Sequence, residues 1–111
     1  MTMLDFDFNN DEKVLTCIFK GRLDTILCSQ LSPELDSKFG SLNLTQGPND
    51  ILDFSLVFDL REVDFISSSF IRLCVGSSKR VRSGSFSITN TNPFLKKTFK
   101  IAGLDEILDV K

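Results

Sequence analysis

Leu4, Phe6 and Phe8 alternate with Asp5 and Asp7 at the start of the chain. Period-two patterning of this kind predicts a strand with one face against a core. Asn9-Asn10-Asp11 signals a turn, and residues 14–19 are denser in apolar and β-branched types, so the two runs predict a hairpin. Residues 20–25 then break the strand. Gly21 permits a bulge or tight bend, and Asp24 or Thr25 suits a helix cap. Leu27, Leu31, Leu35 and Phe39 recur every fourth residue and fall on one helical face. Ser32-Pro33-Glu34 lies inside that stretch, which predicts either one helix disturbed at Pro33 or a turn with a helix starting there. Residues 41–53 carry Gly, Pro, Asn and Asp and predict a long, mobile polar connection.

Residues 54–60 are apolar almost throughout, as in a strand covered on both faces, and the strand is expected to end at Leu60. After a short turn, three serines stand before an apolar run that predicts a helix from Ser69 to about Arg82. Phe70, Cys74 and Val81 fall near one side, Ile71 and Val75 lie beside them, and Gly84 marks the stop. Lys79, Arg80 and Arg82 would then stand in its last turn, where cations favour the dipole. Residues 85–89 alternate as a strand. Asn92-Pro93 predicts an N-cap with Pro at the first helical position, and Leu95, Phe99 and Ala102 recur at helical spacing up to Gly103. Leu104 lies where a contact back onto the last turn is common, and residues 107–110 predict a short strand or extended tail. The order β-β-α-β-α-β-α implies a single α/β domain over residues 1–111, a mixed sheet of four to five strands packed with three to four helices.

Composition narrows the chemistry. With 111 residues, 41% apolar and 25% charged, the chain can bury a core without metal or disulfide staples. Thirteen basic against fifteen acidic residues give no broad nucleic-acid surface. Eleven Phe with no Tyr and no Trp point to a core packed with phenyl rings. The chain has no His, which removes the usual general base, the commonest metal ligand and any Ser-His-Asp or Cys-His nucleophile. Cys17, Cys28 and Cys74 are widely spaced and read as reduced, buried thiols of a cytosolic protein. Asp24, Asp59, Glu62 and Asp64 are better placed as turn and capping residues than as a catalytic pair. No enzyme activity, cofactor or metal is therefore expected. No apolar run approaches a membrane span, and the first residues are acidic where a signal peptide would be basic, so a soluble, cytoplasmic protein is expected.

Three serines before an apolar run have an ordinary role as helix caps. A helix N-terminus also carries partial positive charge and free N–H groups, so it suits an added phosphate. Three motifs extend this reading. Gly21-Arg22-Leu23-Asp24-Thr25 resembles the G-x-L-D signature after the second strand of STAS domains, the anti-sigma factor antagonists and their relatives. Residues 57–60 followed by 63–71 resemble the strand that leads into their F-x-D-S-S-G-L segment, and Ile101-Ala102-Gly103-Leu104-Asp105 resembles their A-G-L-D signature. The resemblance covers about the whole chain. It implies Ser68 as phosphoacceptor, with Asp24, Thr25, Ser67 and Ser69 near it and Phe70, Ile71 and Arg72 at the partner surface. Ser67 stands where the family carries Asp, and Phe70 where it carries Gly. The implied function is an antagonist that binds an anti-sigma factor with serine kinase activity, is released when that kinase phosphorylates it, and is reset by a serine phosphatase. Neither nucleic acid nor membrane is an implied partner, and a monomer or weak dimer is expected. The alternative is a STAS-like scaffold in a signalling complex that is never phosphorylated.

Overall fold

The computed structural model describes residues 3–42 and 51–111. Alternation shapes the first elements. In β1 (Leu4–Asn9) and β2 (Val14–Leu23), Leu4, Leu15, Cys17 and Phe19 are buried while their neighbours are half-buried or exposed. The two strands pair antiparallel, with Leu4 opposite Phe19 and Phe8 opposite Leu15. The Asn9 side chain holds the turn by accepting from the N–H groups of Asp11 and Glu12, both at 3.0 Å.

β2 does not stop at Lys20 as its polar residues suggested. It continues to Leu23 through two register shifts around Lys20 and Gly21. Gly21 sits at φ +88°, which favours a residue without a side chain, and an added Cβ would press on the Met3 sulfur at 3.3 Å. The expected turn after Leu60 is likewise absent. β3 runs unbroken from Ser55 to Ile66 and pairs parallel with the bulged half of β2. Arg61, Glu62 and Asp64 concealed this half, yet Val63 and Ile66 are buried. β4 (Phe86–Thr89) lies parallel on the far side of β3, giving the mixed order β1-β2-β3-β4.

One face of this sheet carries the core. Leu15, Leu56 and Phe86 align across it, as do Cys17, Phe58 and Ile88, and all are buried. On the opposite face Asp7, Thr16, Val57 and Ser87 align and are exposed or half-buried. β3 is thus covered on one face here and not on both. Phe58 is the hub of the phenyl cluster, with ring centroids 4.9 Å from Phe19 and 5.0 Å from Phe86, both edge-on.

Helix α1 (Thr25–Leu42) is continuous through Pro33, which is exposed. Its face of Cys28, Leu31, Leu35 and Phe39 is buried, and that burial outweighs the lost backbone hydrogen bond. The mobile connection expected at 41–53 lies largely outside the described residues. At its margins, Ser41 and Leu42 complete α1, and Leu52 is buried with its N–H on the Arg80 carbonyl at 2.7 Å.

α2 (Ser68–Ser78) ends earlier than Arg82, so Lys79, Arg80 and Arg82 lie beyond its last turn. Arg80 instead ties the end of α2 to α1, pairing with Asp36 at 3.1 Å and lying over the Phe39 ring. Asn92 caps α3 (Pro93–Ile101) by accepting from the Leu95 N–H at 2.8 Å, with Pro93 at the first helical position. At its other end Leu104 N–H donates to the Phe99 carbonyl and Gly103 N–H to that of Lys100, with Gly103 at φ +74°. These are the two bonds of a Schellman ending. The C-terminal residues then turn back, bury Leu108 and make a single parallel bridge from Val110 to Ile88.

Candidate functional site

The candidate site lies where β2 and β3 hand over to α1 and α2. These two strands are parallel neighbours, so the helices that follow them begin side by side. Asp24 caps α1, its carboxylate accepting from the Leu27 N–H at 2.8 Å. Ser67 caps α2, its hydroxyl accepting from the Phe70 N–H at 3.3 Å. The Ser67 N–H donates to the Leu23 carbonyl at 3.0 Å, which ties the second entry to the end of β2. The Cys28 thiol donates to that same carbonyl at 3.8 Å. A further link joins the first turns: the Ser69 hydroxyl lies 3.1 Å from the Thr25 hydroxyl.

Ser67, Ser68 and Ser69 therefore have separate places. Ser67 is committed to the cap. Ser69 faces α1. Ser68, the first residue of α2, is exposed, and its side chain makes no hydrogen bond among the described residues. Arg72 is exposed one turn further on, the i+4 position from Ser68, and its guanidinium reaches the Ser69 hydroxyl at 3.5 Å. Thr25, Ser29, Ser32, Ser69 and Arg72, with Cys28 and Leu73, line a shallow depression of about 360 Å³ between the two helices. Among the described residues no carboxylate lines it.

Phe70 requires a correction. It was expected at the partner surface, but it is fully buried, with its ring 5.1 Å from that of Phe19 and 6.2 Å from that of Phe58. The cap turns its side chain inward, where it plugs the core beneath α2. Ile71 is half-buried and packs against the same core, so Arg72 is the exposed member of that expected trio. Two features at the site went unread. Ile26 is 71% exposed beside Thr25, and its signal was an apolar residue out of phase with the four-residue repeat of α1. Arg22 stacks over the Phe65 ring at 3.8 Å, a pairing across two strands that depends on the bulge register.

The nearest thiol is Cys28, whose burial pushes its pKa up and keeps it a neutral, weak nucleophile. Among the described residues there is no cluster of three metal-ligating side chains. The sequence model of the STAS domain matches residues 5–111. The chain belongs to the STAS domain family. No curated protein matches it in sequence. The STAS chain also shares its fold with several solved structures. A STAS domain protein from Planctomyces limnophilus aligns with a TM-score of 0.70 and 21% identity over 99% of this chain and 91% of that one. The anti-sigma factor antagonist SpoIIAA in its unphosphorylated form gives 0.68 and 16% over 93% and 83%. An anti-sigma factor antagonist from Mycobacterium paratuberculosis gives 0.66 and 18% over 96% and 84%. At these identities the likeness shows the fold, the single mixed-sheet domain of this STAS chain. No helix among its described residues is long and apolar enough to cross a membrane.

Proposed function

We propose that this STAS domain is an anti-sigma factor antagonist whose binding to an anti-sigma factor with serine kinase activity is switched off by phosphorylation of Ser68. One observation carries the reading: Ser68 stands exposed, with no side-chain hydrogen bond among the described residues, at the first position of a helix already capped by Ser67. A phosphate there adds about −1.5 to −2 charge at pH 7. The free N–H groups of the first turn and the dipole of α2 accommodate that charge, and the Arg72 guanidinium lies on the same helical face. The fold survives the modification. The partner meets a doubly charged group on a surface that also presents Ile26, and desolvating that charge opposes binding. A serine phosphatase would reset the switch.

The test incubates the purified protein with ATP and the anti-sigma kinase of the same cell. Phosphate on Ser68, located by mass spectrometry and absent in Ser68→Ala, is expected. Ser68→Asp is expected to keep the native circular dichroism and lower affinity for the kinase at least tenfold. Unchanged affinity would remove the switch. A second reading, a STAS scaffold that is never phosphorylated, draws on one specific observation. A neutral hydroxyl, Ser67, fills the cap where the family carries a carboxylate, so no acidic group adjoins Ser68 on that side. Stable binding to a signalling partner without any phosphate transfer to Ser68 would select the scaffold.

A further inference from the structure

α3 carries a second surface, remote in sequence from the serines. Leu95 and Phe99 face the core. At 100° per residue, Lys97 stands at the outward centre, Phe94 and Ile101 flank it on one side, and Lys96 and Lys100 on the other. Phe94 is 64% and Ile101 77% exposed, so two large apolar side chains of one helix stand in solvent on the same side. None of the three lysines makes an ion pair among the described residues. They rim a concavity of about 720 Å³ whose apolar wall is Ile101 and Val110, with Asp105 as its only carboxylate among the described residues. A chain of net charge −2 thus concentrates unpaired positive charge around an apolar hollow.

From this we infer that α3 is a docking groove for an acidic polypeptide segment that places one or two apolar side chains against Ile101 and Val110 and its carboxylates on Lys96, Lys97 and Lys100. Charge complementarity selects an anionic occupant. Concavity selects a polypeptide, because a flat bilayer would leave the hollow unfilled while an amphipathic segment fills it. An apolar wall suits Leu or Phe and offers nothing to a sugar-phosphate backbone. The groove shares no lining residue with the depression beside Ser68, so a partner bound here is expected to stay bound when that serine is modified.

The experiment titrates the ¹⁵N-labelled protein with a 14-residue peptide that has Leu at every fourth position between glutamates. Control titrations use its lysine-for-glutamate counterpart and phosphatidylserine vesicles. Amide shifts confined to 93–110 are expected with the acidic peptide only. Lys97→Glu with Lys100→Glu, and separately Ile101→Asp, should each weaken binding at least tenfold. All three positions are exposed, so the thermal midpoint should stay within a few degrees, and Ser68→Asp should bind as the wild type does. Shifts that map elsewhere, equal binding of the lysine peptide, or a response to vesicles without one to the acidic peptide would each overturn the assignment.

Discussion

Ser67 and Ser68 are the same residue type one position apart, and the fold gives them opposite duties. The Ser67 hydroxyl satisfies a backbone donor of α2, while the Ser68 hydroxyl faces solvent. Ser67→Ala should therefore lower unfolding free energy by about 1 kcal/mol, the usual cost of a lost cap. Ser68→Ala should change it by less than about 0.5 kcal/mol. Urea denaturation of the two variants checks both, and equal losses would mean the cap is misassigned. At this scale the sequence revealed that serines begin a helix but not which serine does what. A side chain's duty at a helix start depends on the phase of the helix, and the phase is fixed by Phe70 entering the core. Phe70 was expected at the surface because it stands where the family carries Gly. The geometry of β3 and α2 turns it inward against Phe19.

Elements were most legible where period and punctuation agreed. β4, and α3 with its Asn92 cap and Gly103 ending, follow their signals closely. The errors fall where punctuation and burial conflict. Residues 20–25 looked like a break, but of the bulge or tight bend that Gly21 offered the bulge forms, and pairing with β3 continues on both sides of it. Gly21→Ala should cost about 1–2 kcal/mol, since φ is positive and the added Cβ meets Met3. Thermal unfolding measures this, and a neutral result would show that the bulge tolerates a side chain. Pro33 left open one disturbed helix or a helix start, and the single helix forms, with Pro33 an interior residue carried by the buried face of α1. Pro33→Ala should raise stability by about 2 kcal/mol, the helix-interior cost of proline less the freedom returned to the unfolded chain. A loss on chemical denaturation would mean the ring makes contacts that matter.

Over the whole molecule one buried cluster links all four strands and all three helices, so loss at its hub is felt everywhere. Phe58→Ala should cost about 3–5 kcal/mol in a single cooperative transition. A loss below about 1 kcal/mol would mean that Phe58 is not central. The same core holds Cys17, Cys28 and Cys74, and burial raises the pKa of each thiol above its ordinary value of 9.0. The sign follows directly. The unfolded chain ionises its thiols near pH 9 and the folded chain does not, so stability holds below that value and falls as pH rises through it. The urea midpoint should drop between pH 8 and pH 10.5, and Cys17→Ala should flatten the slope.

The entries of α1 and α2 are joined at two points, Ser67 to the Leu23 carbonyl and Ser69 to Thr25. Neither helix can shift its opening turn alone. A disturbance at one hydroxyl must travel into both helices or be absorbed at those two bonds. A fluorophore on Ile26, across the seam from the serines, would report an event on α2 without touching it.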